Sequence, residues 1–205
     1  GSCSSRIILN AEAESIGGEF ELFARPNDNW DFALTATYAK AEITKSQLDA
    51  NGNPIAGIRD GNRLPTSPEL QAAASATYSW PWSTSLDGYV NFTVQHVGSS
   101  YTQLADQEPG FGELSTNPSG GQGLIRGFGA PSVTDVRFDA ELPDYQIGNL
   151  RLGVRSAQWE LAAFVNNLWD ERAFLSIDRE RGRSARVGYL TNQPRTYGVA
   201  FNYDF

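Results

Sequence analysis

The chain closes on an unbroken alternation: Tyr197, Val199, Phe201, Tyr203 and Phe205 are separated by Gly198, Ala200, Asn202 and Asp204. A period of two puts all five large side chains on one face of a strand, whereas a helix would scatter them around its axis. The same pattern recurs upstream. "ESIGGEFELFAR" sets Phe20, Leu22 and Ala24 against Glu19 and Glu21, and "WDFALTATYAKAEIT" sets Trp30, Phe32, Leu34, Ala36 and Tyr38 against Asp31, Ala33, Thr35 and Thr37. "ELQAAASATYSW", "SLDGYVNFTVQHVGS", "YQIGNLRLGVRS" and "WELAAFVNNLW" read in the same way. Seven long antiparallel strands are therefore predicted.

The connections between them rotate. Short turns are predicted at "PNDN" (26–29), "PWST" (81–84) and "SAQ" (156–158), by their Pro, Asn, Asp and Ser content. Between these lie long segments at 45–68, 100–143 and 170–194; the middle one carries seven Gly and four Pro, with "SVTDVRFDAEL" as a strand candidate inside it. Short turns on one rim and long loops on the other describe an up-and-down sheet whose edges face different compartments, the plan of transmembrane β-barrels. Strands of about 11–15 residues exceed the soluble mode of about 5–6 and suit a tilted membrane crossing.

Composition agrees without deciding. Mean hydropathy is −0.39, and no apolar run reaches the length of a transmembrane helix. A barrel hides its apolar half in alternation, so this does not count against one. Of five Trp and eight Tyr, six collect near strand ends (Trp30, Tyr38, Tyr78, Trp80, Trp159, Tyr203), where amphipathic rings suit headgroup depth. The net charge of −8 argues against a nucleic-acid binder. A single cysteine, Cys3, and a single histidine, His96, leave no disulfide framework, cysteine or histidine metal cluster, or Ser-His-Asp triad to build. "GSCSSRIILN" lacks the basic start and apolar core of a signal peptide and reads as a remnant or a loop fragment. A soluble β-sandwich binding ligands through long loops, and a small complete outer-membrane barrel, remain alternatives on this pattern.

Five stretches, in order, resemble one family. "NAEAESIGGEFEL" (10–22), "GNRLPTSPEL" (61–70), "YQIGNLRLGV" (145–154), "WELAAFVNNLWDE" (159–171) and "NQPRTYGVAFNYDF" (192–205) are similar to the C-terminal part of the β-barrel of TonB-dependent outer-membrane receptors. Gly18 departs from that pattern, standing where the family usually has an apolar residue. The resemblance implies an all-β fragment, residues 1–205, of a barrel of about 22 strands closed around a plug. The plug domain is absent from these residues, so TonB would act only through a plug outside them. The implied function is uptake of a scarce cargo (siderophore, cobalamin or glycan) across the outer membrane of a Gram-negative bacterium. Outer-membrane lipid and the barrel-assembly machinery are the implied partners. Phe201, Tyr203 and Phe205 become a membrane-assembly signal, with Phe201 facing lipid near the midplane and Asn202 facing the lumen. Cargo contacts are expected on loops 45–68, 100–143 and 170–194.

Other chemistry is weakly signalled. "DANGNPIAGIRD" places Asp49, Asn51, Asn53 and Asp60 as in a calcium loop, but Pro54 stands where the sharp turn wants Gly, so it reads as a polar turn. "DRERGRSAR" (178–186) is a candidate cationic patch for an anionic ligand or lipopolysaccharide, and also reads as a solvated loop with internal ion pairs. Asp135, Asp139, Glu141 and Asp144 have no fixed separation that would make a glycosidase pair. His96, near the loop end of its strand, reads as an interface residue. No catalytic residue, metal site or cofactor is expected.

Overall fold

Alternation over more than ten residues makes each segment a strand with one wet and one dry side, and a tight turn lets neighbours pair antiparallel. A computed structural model of the chain describes residues 9–109, 113–115, 135–180 and 186–204. In chain order its strands begin with β1 (Ala13–Asn27), β2 (Trp30–Ile43), β3 (Leu70–Ser83) and β4 (Leu86–Val97). Four short strands follow: β5 (Ser100–Tyr101), β6 (Glu113–Ser115), β7 (Asp135–Arg137) and β8 (Glu141–Leu142). The last are β9 (Tyr145–Arg155), β10 (Trp159–Asn166), β11 (Phe174–Glu180), β12 (Arg186–Thr191) and β13 (Thr196–Tyr203). Seven of them form one sheet in the order β1-β2-β3-β4-β9-β10-β13, antiparallel throughout. The sheet is open, so β1 and β13 are each paired on one side only.

The wall has the predicted strands and rotation of connections, with two refinements. The turn expected at Pro81–Thr84 falls instead at Thr84-Ser85, and β3 runs on through Pro81 and Trp82. A register irregularity between Pro81 and Ser83 accommodates the proline, which cannot donate to the ladder. The Trp82 ring stacks on Trp80, 6.4 Å away, and carries the strand past the predicted stop. The second refinement is that 170–194 contains the β11/β12 hairpin, and 100–143 contains two small two-stranded pairs, β5/β8 and β6/β7.

Register carries one apolar face across all seven strands. Ala24 pairs with Phe32, Phe32 with Ala76, Ala76 with Phe92, Phe92 with Leu150, Leu150 with Val165 and Val165 with Tyr197. Among the described residues this face is left largely uncovered: Phe20 is 54% exposed, Leu152 52% and Val199 71%. The buried apolar side chains lie elsewhere. Ile43, Ile58, Ala105, Ala140, Leu142, Ala173 and Ile177 are buried at the loop rim, and Tyr89 and Ala162 on the polar face.

Candidate functional site

The long loops were expected to hold the cargo contacts, and the structure brings the described parts of all three together at one rim. Gly57, at φ +77°, is the point of closest approach: a Cβ there would stand 2.3 Å from the Ala105 backbone nitrogen. Only glycine allows the first loop to lie this tightly on the second. Around it, Arg59 donates from Nε and Nη2 to both carboxylate oxygens of Glu108 at 2.8–3.1 Å. Asn62 Nδ2 donates to Glu108 Oε1 at 2.8 Å and to the Gly57 carbonyl at 3.0 Å. Glu108 and Asn62 are both buried, so this pairing satisfies groups that would otherwise be costly to desolvate. The Arg59 guanidinium holds the Glu108 carboxyl below the ordinary carboxylate range, against the upward push of burial and with help from Asn62.

Arg63, from the "GNRLP" stretch, is the second tie. Its backbone N–H donates to Gln107 Oε1 and its carbonyl accepts from Gln107 Nε2, both at 2.8 Å. Its guanidinium donates to the Ser99 carbonyl, reaches Glu141 at 3.5 Å and Glu69 at 3.8 Å, and lies 5.4 Å from the Tyr101 ring centroid. Burial, followed by the Glu141 carboxylate, pushes the Tyr101 phenol up. The third loop joins through the Ile177 N–H, which donates to Thr102 Oγ1 at 2.9 Å.

Two asparagines close the base of that third loop. Asn167, at φ +54°, donates from Nδ2 to the Glu171 and Gln193 carbonyls and accepts the Glu171 N–H. Asn192 donates to the Glu171 carbonyl and accepts from the Ala173 N–H. Between them the chain swings Trp169 onto the apolar face, over Gly148 and 6.2 Å from Phe92.

The polar face of the wall carries its own network. Tyr89 donates its hydroxyl to Glu160, and Arg151 donates to both, at 2.8 Å each. Asn91 bridges to Ser75 and Thr77, and Asn149 to Thr93. Where this face meets the loops, Gln71, Gln95, Tyr145 and Phe174 line an open cleft of about 260 Å³ with Leu142 and Pro143.

The remaining sequence candidates fall as follows. Asp49 Oδ1 accepts the backbone N–H groups of Asn51 and Asn53 at 2.8 and 2.9 Å, which hold its carboxyl low. Gly52, at φ +82°, completes the turn, so the carboxylate is occupied in shaping the loop. No group of three metal-ligating side chains occurs among the described residues. Asp139 accepts from the Glu141 N–H, Glu141 pairs with Arg63, and Asp144 is exposed; the Asp135 side chain lies outside the described residues. His96 pairs in register with Ala72 and Gln146 on the apolar face, at the loop end. The basic stretch 178–186 begins and ends on the β11/β12 hairpin, while 181–185 lie outside the described residues, as do Cys3, Phe205, 110–112 and 116–134. Phe201 projects from the apolar face opposite Leu161, its ring 6.5 Å from Trp159, and Tyr203 pairs with Trp159. Asn202 takes the opposite face, opposite Glu160. Sequence reasoning missed the Arg59–Glu108–Asn62 and Tyr89–Arg151–Glu160 clusters. Asn62 and Arg63 lie in the "GNRLP" stretch that carries the family resemblance, but Glu108 sits in a segment with no periodicity to mark it.

Comparison with known proteins agrees with this architecture. The family model described as TonB dependent receptor-like, beta-barrel matches residues 2–168. No curated protein sequence matches the chain. Among solved structures, the chain is similar to the ferric yersiniabactin uptake receptor FyuA from Yersinia pestis, with a TM-score of 0.65 and 21% identity over 96% of this chain and 24% of that one. It is also similar to the siderophore receptor PiuA from Acinetobacter baumannii (TM-score 0.59, 18% identity, 93% and 22% covered). The ferric-catecholate import receptor Fiu from E. coli gives a TM-score of 0.54 at 18% identity, with 92% and 20% covered. The chain thus spans between a fifth and a quarter of the length of these receptors. It belongs to the TonB-dependent receptor family, as part of the β-barrel wall that such receptors place in the outer membrane of Gram-negative bacteria.

Proposed function

We propose that the chain forms part of the wall and ligand-facing mouth of an active uptake receptor for a ferric siderophore. Energy would be coupled through TonB to a plug domain outside these residues. The observation that carries this reading is the gathering of three long loops into one bonded platform, on the rim of a sheet whose apolar face is left for lipid. A platform tied by Arg59–Glu108 and Arg63–Gln107 can hold contact residues in place at the mouth. The cargoes of the similar receptors, ferric yersiniabactin and ferric catecholates, favour siderophores over cobalamin or glycans. Phe201 and Tyr203, with Phe205, serve in this reading as the aromatic pattern by which the assembly machinery receives the last strand.

The test is uptake of radiolabelled ferric siderophores by cells in which the full-length parent receptor is the sole outer-membrane iron receptor. Uptake of at least one siderophore is expected, and it should vanish when TonB is removed. Uptake of cobalamin or a glycan instead would overturn the cargo; uptake indifferent to TonB would overturn the coupling.

A further inference from the structure

The polar face of the wall is bonded unevenly. Around β4, β9 and β10 its side chains satisfy one another: Asn91 donates to Ser75 and Thr77, Asn149 to Thr93, and Arg151 to Tyr89 and Glu160. The Arg155 guanidinium lies 5.6 Å from the Tyr89 ring centroid and completes that group. On the β1–β2 side the same face carries Phe23, opposite Ala33 and 70% exposed. An aromatic ring on a polar wall gains from being covered, whereas a self-bonded set of amides and ions does not depend on it.

The self-bonded part holds an open cleft of about 310 Å³, lined by Asn91, Asn149, Leu150, Arg151, Phe164 and Asn166. All six belong to β4, β9 and β10, so the cleft is a feature of the wall and not of the loops. Two side chains open it by leaning away. Arg151 is drawn to Glu160 and Tyr89, and the Phe164 ring lies over Gly198, where a Cβ would stand 2.9 Å from its Cζ. Glycine at 198 gives the ring that room. Arg151 bonds through Nε and Nη2, leaving Nη1 without a partner among the described residues, and Asn166 makes one long bond, 3.5 Å, to Thr196. A guanidinium already shared with a carboxylate can lend a hydrogen bond to an oxygen-rich group without holding it tightly. Such a surface suits a group that passes more than one that docks.

We propose that this cleft is a transit subsite inside the barrel. It stays open to water beside the plug, which seats on the Phe23 side, and the oxygen-rich face of the cargo crosses it after leaving the mouth. Arg151 and the asparagine amides exchange hydrogen bonds with carboxylate, hydroxamate or catecholate oxygens as these go by. The inference rests on the uptake reading above and deepens it, by adding a contact that acts on passage and not on capture.

The experiment uses the full-length parent receptor in cells where it is the sole outer-membrane iron receptor. The labelled probe is ferric yersiniabactin or a ferric catecholate, whichever the parent imports. In an Asn166→Cys variant a small maleimide should react in the resting receptor, and a bulky one should stop uptake; the parent treated alike is the control. Binding of the probe in the cold, where no transport occurs, should be unchanged. Arg151→Gln should slow uptake about tenfold, as for one lost hydrogen bond from a charged group, again without weakening binding, and Arg151→Lys should restore part of the rate. Heat-modifiable gel mobility checks that each variant is folded. A cysteine at 166 that stays unlabelled, bulky labelling that leaves uptake unchanged, or weakened binding in either variant overturns this inference while leaving siderophore uptake standing. A parent that imports no ferric siderophore removes the uptake reading and the inference with it.

Discussion

The wall and the loop platform reverse the usual relation between regularity and burial. The seven-stranded wall is the regular part, yet Phe20, Leu152, Val199 and Phe201 on its apolar face remain largely exposed within the chain. The platform is irregular, yet it holds Ile58, Leu142, Ala173 and Ile177 almost fully buried around ion pairs and amide bridges. In the proposed membrane setting, the difference reflects two solvents. Lipid asks of the wall only an apolar, roughly shaped surface, and all its backbone groups must bond within the sheet. Water surrounds the platform, so its stability depends on a small packed core and on satisfied polar groups. The wall sets alanine and aromatic residues side by side on its apolar face, while close approaches that leave no room for a Cβ occur in both parts, at Gly57 in the platform and at Gly17 in the wall.

The strongest way to break this contrast is to place a charge on each face of β13. Phe201→Arg puts a guanidinium on the apolar face and should cost about 2–4 kcal/mol if the site lies near mid-depth, whereas Asn202→Arg on the polar face should cost far less. Folding of the parent receptor into lipid vesicles, followed by heat-modifiable gel mobility, reads the difference. Equal losses would mean that the two faces do not meet different solvents.

Within the platform, Glu108→Ala leaves Asn62 with one hydrogen bond fewer and Arg59 unpaired, and should loosen the loop by about 1–3 kcal/mol without disturbing the wall. Amide hydrogen exchange should quicken across residues 57–63 while β3 and β4 stay protected. The same tie responds to pH. Because the folded Glu108 carboxyl titrates below its unfolded value, its contribution is complete above the ordinary carboxylate pKa of about 4.3 and fades as pH falls below that. Protection of these amides, taken relative to the intrinsic exchange rate at each pH, should therefore be unchanged between pH 7 and 5 and fall on further acidification. If the wall opened first, the platform would not be the separately held part described above.

The smallest effect sharpens the comparison inside one loop. Asp49→Ala removes the acceptor for the Asn51 and Asn53 N–H groups in an exposed turn, and should cost about 0.5–1 kcal/mol. Its expected signature is faster exchange at those two amides, with uptake by the parent receptor unaltered. A loss of uptake would move this turn from scaffold to contact surface.

Much of the wall was legible because its determinant is local. Trp30, Phe32 and Leu34 alternate within a few residues, and alternation survives any arrangement of neighbouring strands. The turn at Pro81 was misplaced because a tryptophan stack and a register irregularity carried β3 past a residue that usually ends strands. The β11/β12 hairpin was hidden for a related reason: its pairing is interrupted between Phe174 and Ser176, and the loop was read by its charge. The platform contacts were not legible at all. Arg59 and Glu108 lie 49 positions apart, in segments without periodicity, and nothing in either marks its partner.

By itself, then, the sequence determined the seven strands of the wall, its two faces, the rotation of short and long connections and, through its ordered motifs, the family. These follow from periodicity and turn chemistry, which act over a few residues. Only the tertiary structure decided which loop residues meet: Gly57 against Ala105 and Arg63 against Gln107. Those contacts join positions far apart in the chain, and their partners are chosen by the register and curvature that bring three loops to one rim.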